Sequence, residues 1–155
     1  MSTLTRAASI ALGGMLLVVA GAHAAEPPHA EFRSAGDNAV ILYDAPSVRA
    51  GKLFVVSRGY PLEVVVTVQG WVKVRDAAGT LSWAESKSLG TRRTVMVKTP
   101  GASVVESPEE KSPVVFRAQQ NVILDFVDAE PAGWLRVKHP DGATGFVRTT
   151  QVWGS

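Results

Sequence analysis

Two short stretches of the sequence carry the residue types best suited to binding chemistry. Each has the pattern aromatic, x, basic, x, basic, and the six residues are Trp71, Lys73, Arg75, Trp134, Arg136 and Lys138. Alternate residues of a β-strand point to the same face, so each stretch would present one aromatic ring beside two cations. Such a face could stack on a sugar or a peptide and pair with carboxylates. Tyr43 and Tyr60 could extend a groove beside it.

The remaining sequence offers no catalytic constellation. The chain has no cysteine, and therefore no thiolate nucleophile, no disulfide and no cysteine-based metal site. His29 and His139 do not stand at metal-ligand spacing with other donors, and no serine lies in a G-x-S-x-G turn. We interpret Glu109, Glu110 and Asp141 as solvated loop residues rather than a carboxylate pair. We therefore expect no enzyme activity, no metal and no cofactor.

Short β-strands are predicted to position both faces. Strands over residues 71–75 and 134–138 would point their aliphatic residues to the side opposite the cations; these are Val72, Val74, Leu135 and Val137. The preceding strand, over residues 62–69, would bury Leu62, Val64, Val66 and Val68. Gly, Pro, Asp and Ser interrupt the aliphatic runs at short intervals, which is typical of antiparallel β-structure.

The sequence contains two copies of one unit. Residues 70–89 align with residues 133–152 without a gap, and Trp71 coincides with Trp134. Since the chain has only four tryptophans, this coincidence favours duplication over chance. The second copy needs a slightly longer loop before its tryptophan. Self-similarity of this kind predicts two domains of the same fold.

We place the first domain at residues 37–93 and the second at residues 94–155. The joint between them is too short for independent movement, and domains of this size are only marginally stable alone, so burial between the copies would help. Residues 94–97 could close the sheet of the first domain or open that of the second. We expect this run and Trp153 to form the contact between the domains.

Residues 1–24 have the features of a cleavable signal peptide. Arg6 precedes an apolar run over residues 7–19, and a small-x-small sequence marks a cleavage site near Ala24 or Ala25. The run is shorter than the ~20 residues of a spanning helix, which argues against the alternative of an uncleaved anchor. We therefore predict a periplasmic or secreted protein with no stable membrane span after cleavage.

The mature chain is expected to begin with a flexible leader over residues 25–36, which is rich in proline, alanine and glutamate. Its net charge is small, because the whole chain has 16 basic and 14 acidic residues and Arg6 belongs to the signal peptide. A nearly neutral protein lacks the basic surface that nucleic-acid binding needs, so no nucleic-acid partner is expected.

The second half of each copy resembles bacterial Src-homology-3 (SH3) domains. The residues that carry the resemblance are GWVKVRDAAGTLSW, residues 70–83, and GWLRVKHPDGATGF, residues 133–146. The resemblance implies an all-β protein with two tandem small SH3-like β-barrels, each partly open and five- or six-stranded. It also implies that Trp71 and Trp134 hold the aromatic position that lines the peptide groove of eukaryotic relatives. The Asn-x-Arg-x-Gly-Pro opening typical of the family is missing before Pro46 and Pro108.

The resemblance further implies a non-catalytic protein of the bacterial cell envelope. We expect it to recognise peptidoglycan or a cell-wall peptide through the two aromatic and basic strand faces. Two alternatives stay open. Each tryptophan could instead cover a barrel edge or the contact between the copies, with the cations keeping the sheet soluble. The protein could also be an adaptor for another envelope protein, bound by strand addition at an open edge.

Overall fold

The structure is a computed structural model that describes residues 30–155. The signal peptide predicted over residues 1–24, and residues 25–29 of the predicted leader, lie outside the described residues. Residues 30–155 form short β-strands and three single-turn 3-10 helices. No helix in this part of the chain has the length and apolar character needed to cross a membrane.

The first domain is an antiparallel sheet of seven strands. In chain order they are β1 (Phe32–Ala35), β2 (Val40–Tyr43), β3 (Lys52–Val56), β4 (Pro61–Val68), β5 (Trp71–Arg75), β6 (Leu81–Glu85) and β7 (Leu89–Gly90). Their order across the sheet is β3-β2-β6-β5-β4-β1-β7. The 3-10 helix Ser86–Ser88 joins β6 to β7.

The second domain repeats this arrangement. Its strands are β8 (Thr94–Val97), β9 (Gly101–Val105), β10 (Val114–Gln119), β11 (Ile123–Glu130), β12 (Trp134–Lys138), β13 (Thr144–Arg148) and β14 (Val152–Trp153). Their order across the sheet is β10-β9-β13-β12-β11-β8-β14. Each strand therefore has the same place as its counterpart in the first sheet, β8 as β1, β9 as β2, and so on. Two further 3-10 helices, Pro131–Gly133 and Thr149–Gln151, precede β12 and β14. The predicted all-β class and the duplication are confirmed.

The sheets are open and have seven strands each, whereas the resemblance implied partly open barrels of five or six strands. Strand β4 pairs with β1 through its first residues and with β5 through the rest, and β11 is divided between β8 and β12 in the same way. A register shift after Val64, and another after Phe126, bends each long strand over its core. Among the described strands no pairing joins the outermost ones, so neither sheet closes.

The alternation predicted for the two repeated strands is confirmed. The aliphatic side chains of β5 and β12 are buried, namely Val72, Val74, Leu135 and Val137. The expectation for β4 is only half right, because Leu62 is buried whereas Val66 and Val68 are exposed. Residues 65–68 are all exposed, so after the register shift between Val64 and Val66 this end of the strand extends beyond the core.

Part of the predicted flexible leader is an ordered strand. Residues 32–35 form β1, which pairs with β4 and with β7. Phe32 and Ala35 are buried, and the buried Ser34 hydroxyl donates to the Arg92 carbonyl at 2.5 Å. Since these contacts come from distant parts of the chain, composition alone could not reveal them. The expectation of a flexible segment as far as residue 36 is therefore wrong for residues 32–35.

The run 94–97 belongs to the second sheet, where β8 pairs with β11 and with β14. It also contacts the first domain, as expected. The Thr94 hydroxyl donates to the Gly59 carbonyl at 2.6 Å and lies 2.8 Å from the Ser34 hydroxyl. Beside it, the Arg92 Nε donates to the Asp125 carboxylate at 2.6 Å. These bonds fasten the joint between the two sheets.

Trp153 completes the contact between the domains, which confirms its predicted place. Its ring meets the Phe32 ring edge to face with centroids 5.2 Å apart, and its Nε1 donates to the Pro61 carbonyl at 3.2 Å. Gly154 follows with a φ of 112°, and a side chain there would meet the Thr94 carbonyl oxygen at 2.6 Å and, across the contact, Pro61 Cβ of the first domain at 2.9 Å. The close approach of the two domains therefore requires a glycine at this position.

Candidate functional site

A shallow groove crosses one end of the first sheet. It lies between the loop after β2, the turn before β5 and the 3-10 helix after β6. The lining residues are Pro46, Ser47, Val48, Gly70, Trp71, Glu85, Ser86 and Lys87. Three separate chain segments thus contribute, and β5 and β6 hold two of them in register, since Trp71 pairs directly with Glu85.

Trp71 provides the aromatic surface of this groove. Its ring is only partly buried, and the Tyr43 ring meets it edge to face with centroids 5.4 Å apart and an interplanar angle of 87°. Tyr43 is itself buried, so it supports the tryptophan from below rather than extending the groove. An edge-to-face pair of this kind helps to hold the indole ring in one orientation, and the ring contributes to the groove surface.

The two cations on β5 are engaged within the sheet. Lys73 Nζ lies 5.8 Å from the centre of the Trp83 ring. Arg75 donates from Nη1 to both carboxylate oxygens of Glu63, at 3.1 and 2.9 Å. Both residues share a strand face with Trp71, as the alternation predicts, but neither lines the groove.

An ion pair lies at the rim of the groove. Lys87 Nζ stands 2.8 Å from Glu85 Oε2, and this hydrogen bond, with the negative charge of Glu85, raises the pKa of Lys87 above its ordinary value. Lys87 is strongly exposed whereas Glu85 is partly buried. An exposed pair contributes little free energy, so incoming charged groups can exchange with either partner.

Tyr60 lies away from the groove. It packs against the core of the first domain, and its burial raises the pKa of the hydroxyl above the ordinary value. Of the two tyrosines named from the sequence, the structure therefore brings only Tyr43 to Trp71.

The corresponding tryptophan of the second domain is covered, unlike the exposed face expected from the sequence. Trp134 is only 5% exposed, and the guanidinium carbon of Arg148 lies 4.1 Å from its ring centre. Arg148 Nη1 donates to the Ala132 carbonyl at 2.8 Å, and Nη2 donates to Glu110 Oε1 at 2.6 Å. Arg136 and Lys138 are exposed on the same strand, and neither has an ion-pair partner within residues 30–155.

Two substitutions between the copies account for this difference. Glu85 of the first domain corresponds to Arg148 of the second, 63 positions later, as Trp71 does to Trp134. Val48 corresponds to Glu110, since each stands two residues after the matched prolines Pro46 and Pro108. Sequence reasoning assigned Glu110 to a solvated loop and did not identify the other three. The aligned copies carry the signal as a reversal of charge at one position and a gain of charge at the other.

No metal site accompanies either tryptophan. Within residues 30–155, no three histidine, aspartate or glutamate side chains gather closely enough to hold an ion. The interactions that the residues around the two tryptophans can make with a ligand are aromatic stacking, hydrogen bonding and ion pairing.

The sequence of each copy matches a known family. The sequence model of the bacterial SH3 domain matches residues 36–90 and again residues 98–154. The chain belongs to the bacterial SH3 domain family. The two matches contain Trp71 and Trp134 respectively, so the two tryptophans occupy equivalent places in two bacterial SH3 domains. No protein of curated function matches the chain by sequence.

Several solved structures resemble the chain in part. They include NlpC2 and NlpC1 from Trichomonas vaginalis, at 14% and 18% identity with a TM-score of 0.38 each, and an NlpC/P60 family protein from Bacillus cereus, at 18% identity with a TM-score of 0.37. The matches cover 84%, 92% and 79% of this chain, and 50%, 51% and 56% of those proteins. The chain thus spans about half the length of these proteins.

Proposed function

We propose that this protein is a non-catalytic, exported binding module of the bacterial cell envelope, which holds a peptide or glycan strand of the cell wall in the groove of its first domain. Membership of the bacterial SH3 family supports a binding role, and the signal peptide expected from the sequence supports export. The observation that carries the choice of site is the contrast between the open ring of Trp71 and the covered ring of Trp134.

The groove suits an extended chain better than a compact small molecule. It is shallow and open, with an aromatic floor at Trp71 and apolar rim residues at Pro46 and Val48. Small-molecule sites are usually concave and enclose most of the ligand. A peptide or glycan strand could instead lie flat on the indole ring, as sugars and peptide planes do on exposed aromatic residues.

The charged rim fits a ligand that carries both signs of charge. A ligand ammonium group could replace Lys87 on the carboxylate of Glu85, while a ligand carboxylate pairs with the released Lys87. Cell-wall peptides carry amino and carboxyl groups on one short chain, which matches this pair. Lys73 and Arg75 are occupied within the sheet, so the proposal assigns them to support of the strand face rather than to direct ligand contact.

Sedimentation with isolated cell-wall sacculi tests this proposal. The wild-type protein should sediment with sacculi, and Trp71→Ala should reduce the bound fraction about tenfold, the loss typical of an aromatic contact at a binding centre. Leu81→Ala is the matched control, because it removes an exposed apolar side chain of the same domain outside the groove. Failure of the wild type to bind, or equal binding by Trp71→Ala, would exclude the proposed site.

An adaptor role is the second candidate, favoured by one feature of the sheet. Strand β3 is an outermost strand, and three consecutive residues of it are exposed and apolar, namely Leu53, Phe54 and Val55. An exposed apolar edge is suited to pairing with a strand of another protein. Cross-linking in intact cells should then join a partner to residues 52–56, and Val55→Lys should abolish the cross-link while leaving sedimentation with sacculi unchanged.

A further inference from the structure

We infer that Arg148 forms a carboxylate-binding site in the second domain, in which the side chain of Glu110 is an exchangeable internal occupant. This site is separate from the groove of the first domain, and its function does not depend on that groove. The suitable ligand is a chain-terminal or side-chain carboxylate of a peptide.

Arg148 is held in place by groups other than Glu110. Its guanidinium carbon lies 4.1 Å from the centre of the buried Trp134 ring, and Nη1 donates to the Ala132 carbonyl at 2.8 Å. Ala132 has a φ of 59° and is followed by Gly133 at 77°, so this loop takes an unusual backbone course just where its carbonyl meets the guanidinium. The cation–π contact and the hydrogen bond to the carbonyl together hold the guanidinium in place.

Glu110 is weakly held by comparison. Its side chain is 79% exposed, against 31% for Arg148, and one hydrogen bond, Nη2 to Oε1 at 2.6 Å, joins the two. The loop that carries Glu110 is shaped by other contacts, since the Ser112 hydroxyl binds both the backbone N–H and the hydroxyl of Ser107, each at 2.9 Å. Exchange of the Glu110 carboxylate for another therefore leaves the loop intact.

The guanidinium is better suited to a free carboxylate than to its present partner. Arginine presents parallel N–H groups that can bind both oxygens of a carboxylate, whereas Glu110 is bound through one oxygen. Exposed ion pairs contribute little, so a ligand that gains a second hydrogen bond can displace Glu110. The first domain has no equivalent cation over its tryptophan, because Glu85 stands at the position of Arg148.

Titration of the purified protein with a dipeptide tests the inference. The probe is acetyl-alanyl-alanine with a free carboxyl terminus, the control is its C-terminal amide, and the readouts are the NMR shifts of the Arg148 Nε–H and the Trp134 indole N–H. Glu110→Gln removes the competing charge and keeps the side-chain shape, so it should tighten binding of the carboxylate about two- to fivefold. Arg148→Gln should abolish binding, and the amide should cause no saturable shift.

Three results would overturn the inference. One is equal affinity of the wild type and Glu110→Gln for the carboxylate. Another is an equal response to the amide. The third is the same shift with sodium chloride at matched ionic strength, which would show a general salt effect. Because this test uses neither sacculi nor Trp71, failure of the proposed wall binding would leave it unaffected.

Discussion

The two domains share one fold, but their equivalent tryptophans differ in exposure. Trp71 stays partly open and is supported from below by Tyr43, whereas Trp134 is covered by Arg148. Strand order and register are the same around both rings. The cover over Trp134 comes from two surface positions, and the buried support also differs, since Val105 stands at the place of Tyr43.

Truncation of a core leucine in either copy should have the largest effect on stability and tests whether the two domains unfold together. Leu62 and Leu124 are fully buried at equivalent places in the two sheets, and truncation of either to alanine should cost ~2–5 kcal/mol of unfolding free energy. Because the domains are joined by buried contacts, both variants should shift one common transition in urea, followed by circular dichroism. Two transitions, each moved by only one variant, would show that the domains unfold separately.

Loss of the contact between the copies should have the next largest effect. Trp153→Ala removes the edge-to-face contact with Phe32 and the hydrogen bond to the Pro61 carbonyl. We expect a loss of about 2 kcal/mol, less than for a fully buried ring, and separation of urea unfolding into two transitions. Trp83→Ala is the matched control, since it alters a partly exposed tryptophan within one domain and should leave unfolding as a single transition. A single transition in Trp153→Ala would contradict the coupling.

Exchange of the two surface positions should convert one domain into the other. The double variant Val48→Glu with Glu85→Arg is expected to cover Trp71 and to lower affinity for sacculi about tenfold, which is ~1.4 kcal/mol. The reverse variant, Glu110→Val with Arg148→Glu, should expose Trp134 and shift its fluorescence to longer wavelength. If the first variant binds sacculi as well as the wild type, these positions do not control access to the ring.

The smallest expected difference concerns alkaline pH. Tyr60 has Val122 as its counterpart, so only the first domain carries a tyrosine at this place. Burial raises the pKa of Tyr60 above its unfolded value near ~10, so the protonated form favours folding. This stabilisation is present below the unfolded pKa and is lost as the pH rises through the folded pKa. The urea midpoint of Tyr60→Phe should therefore fall less above about pH 10 than that of the wild type. An equal fall would contradict the assignment.

Local alternation made much of the fold predictable from the sequence. Val72 and Val137 are buried as the period of two requires, and the coincidence of two tryptophans revealed the duplication. Alternation fails at the end of β4, where Val65 and Val66 are both exposed because the strand extends beyond the core. It is also uninformative for residues 32–35, whose strand is stabilised by partners far along the chain.

The candidate site could be predicted only in part. The sequence indicated Trp71 and Trp134 as an equivalent pair, and the structure places both at the start of the same strand of each copy. The sequence could not indicate that one tryptophan is exposed and the other covered. The cover over Trp134 is formed by Arg148, from the end of β13, and by Glu110, from the loop after β9. These two residues are far apart in the sequence and meet only in the folded protein. Their importance becomes visible in the sequence only when the two copies are aligned.

Fluorine NMR of the protein labelled with 5-fluorotryptophan would test the contrast between the domains most directly. The four tryptophans give four resonances, which single substitutions to phenylalanine assign. A soluble gadolinium chelate should broaden the Trp71 resonance much more than that of Trp134, and soluble cell-wall fragments should protect Trp71 from this broadening. Equal broadening of the two resonances, or protection of Trp134 alone, would contradict the account.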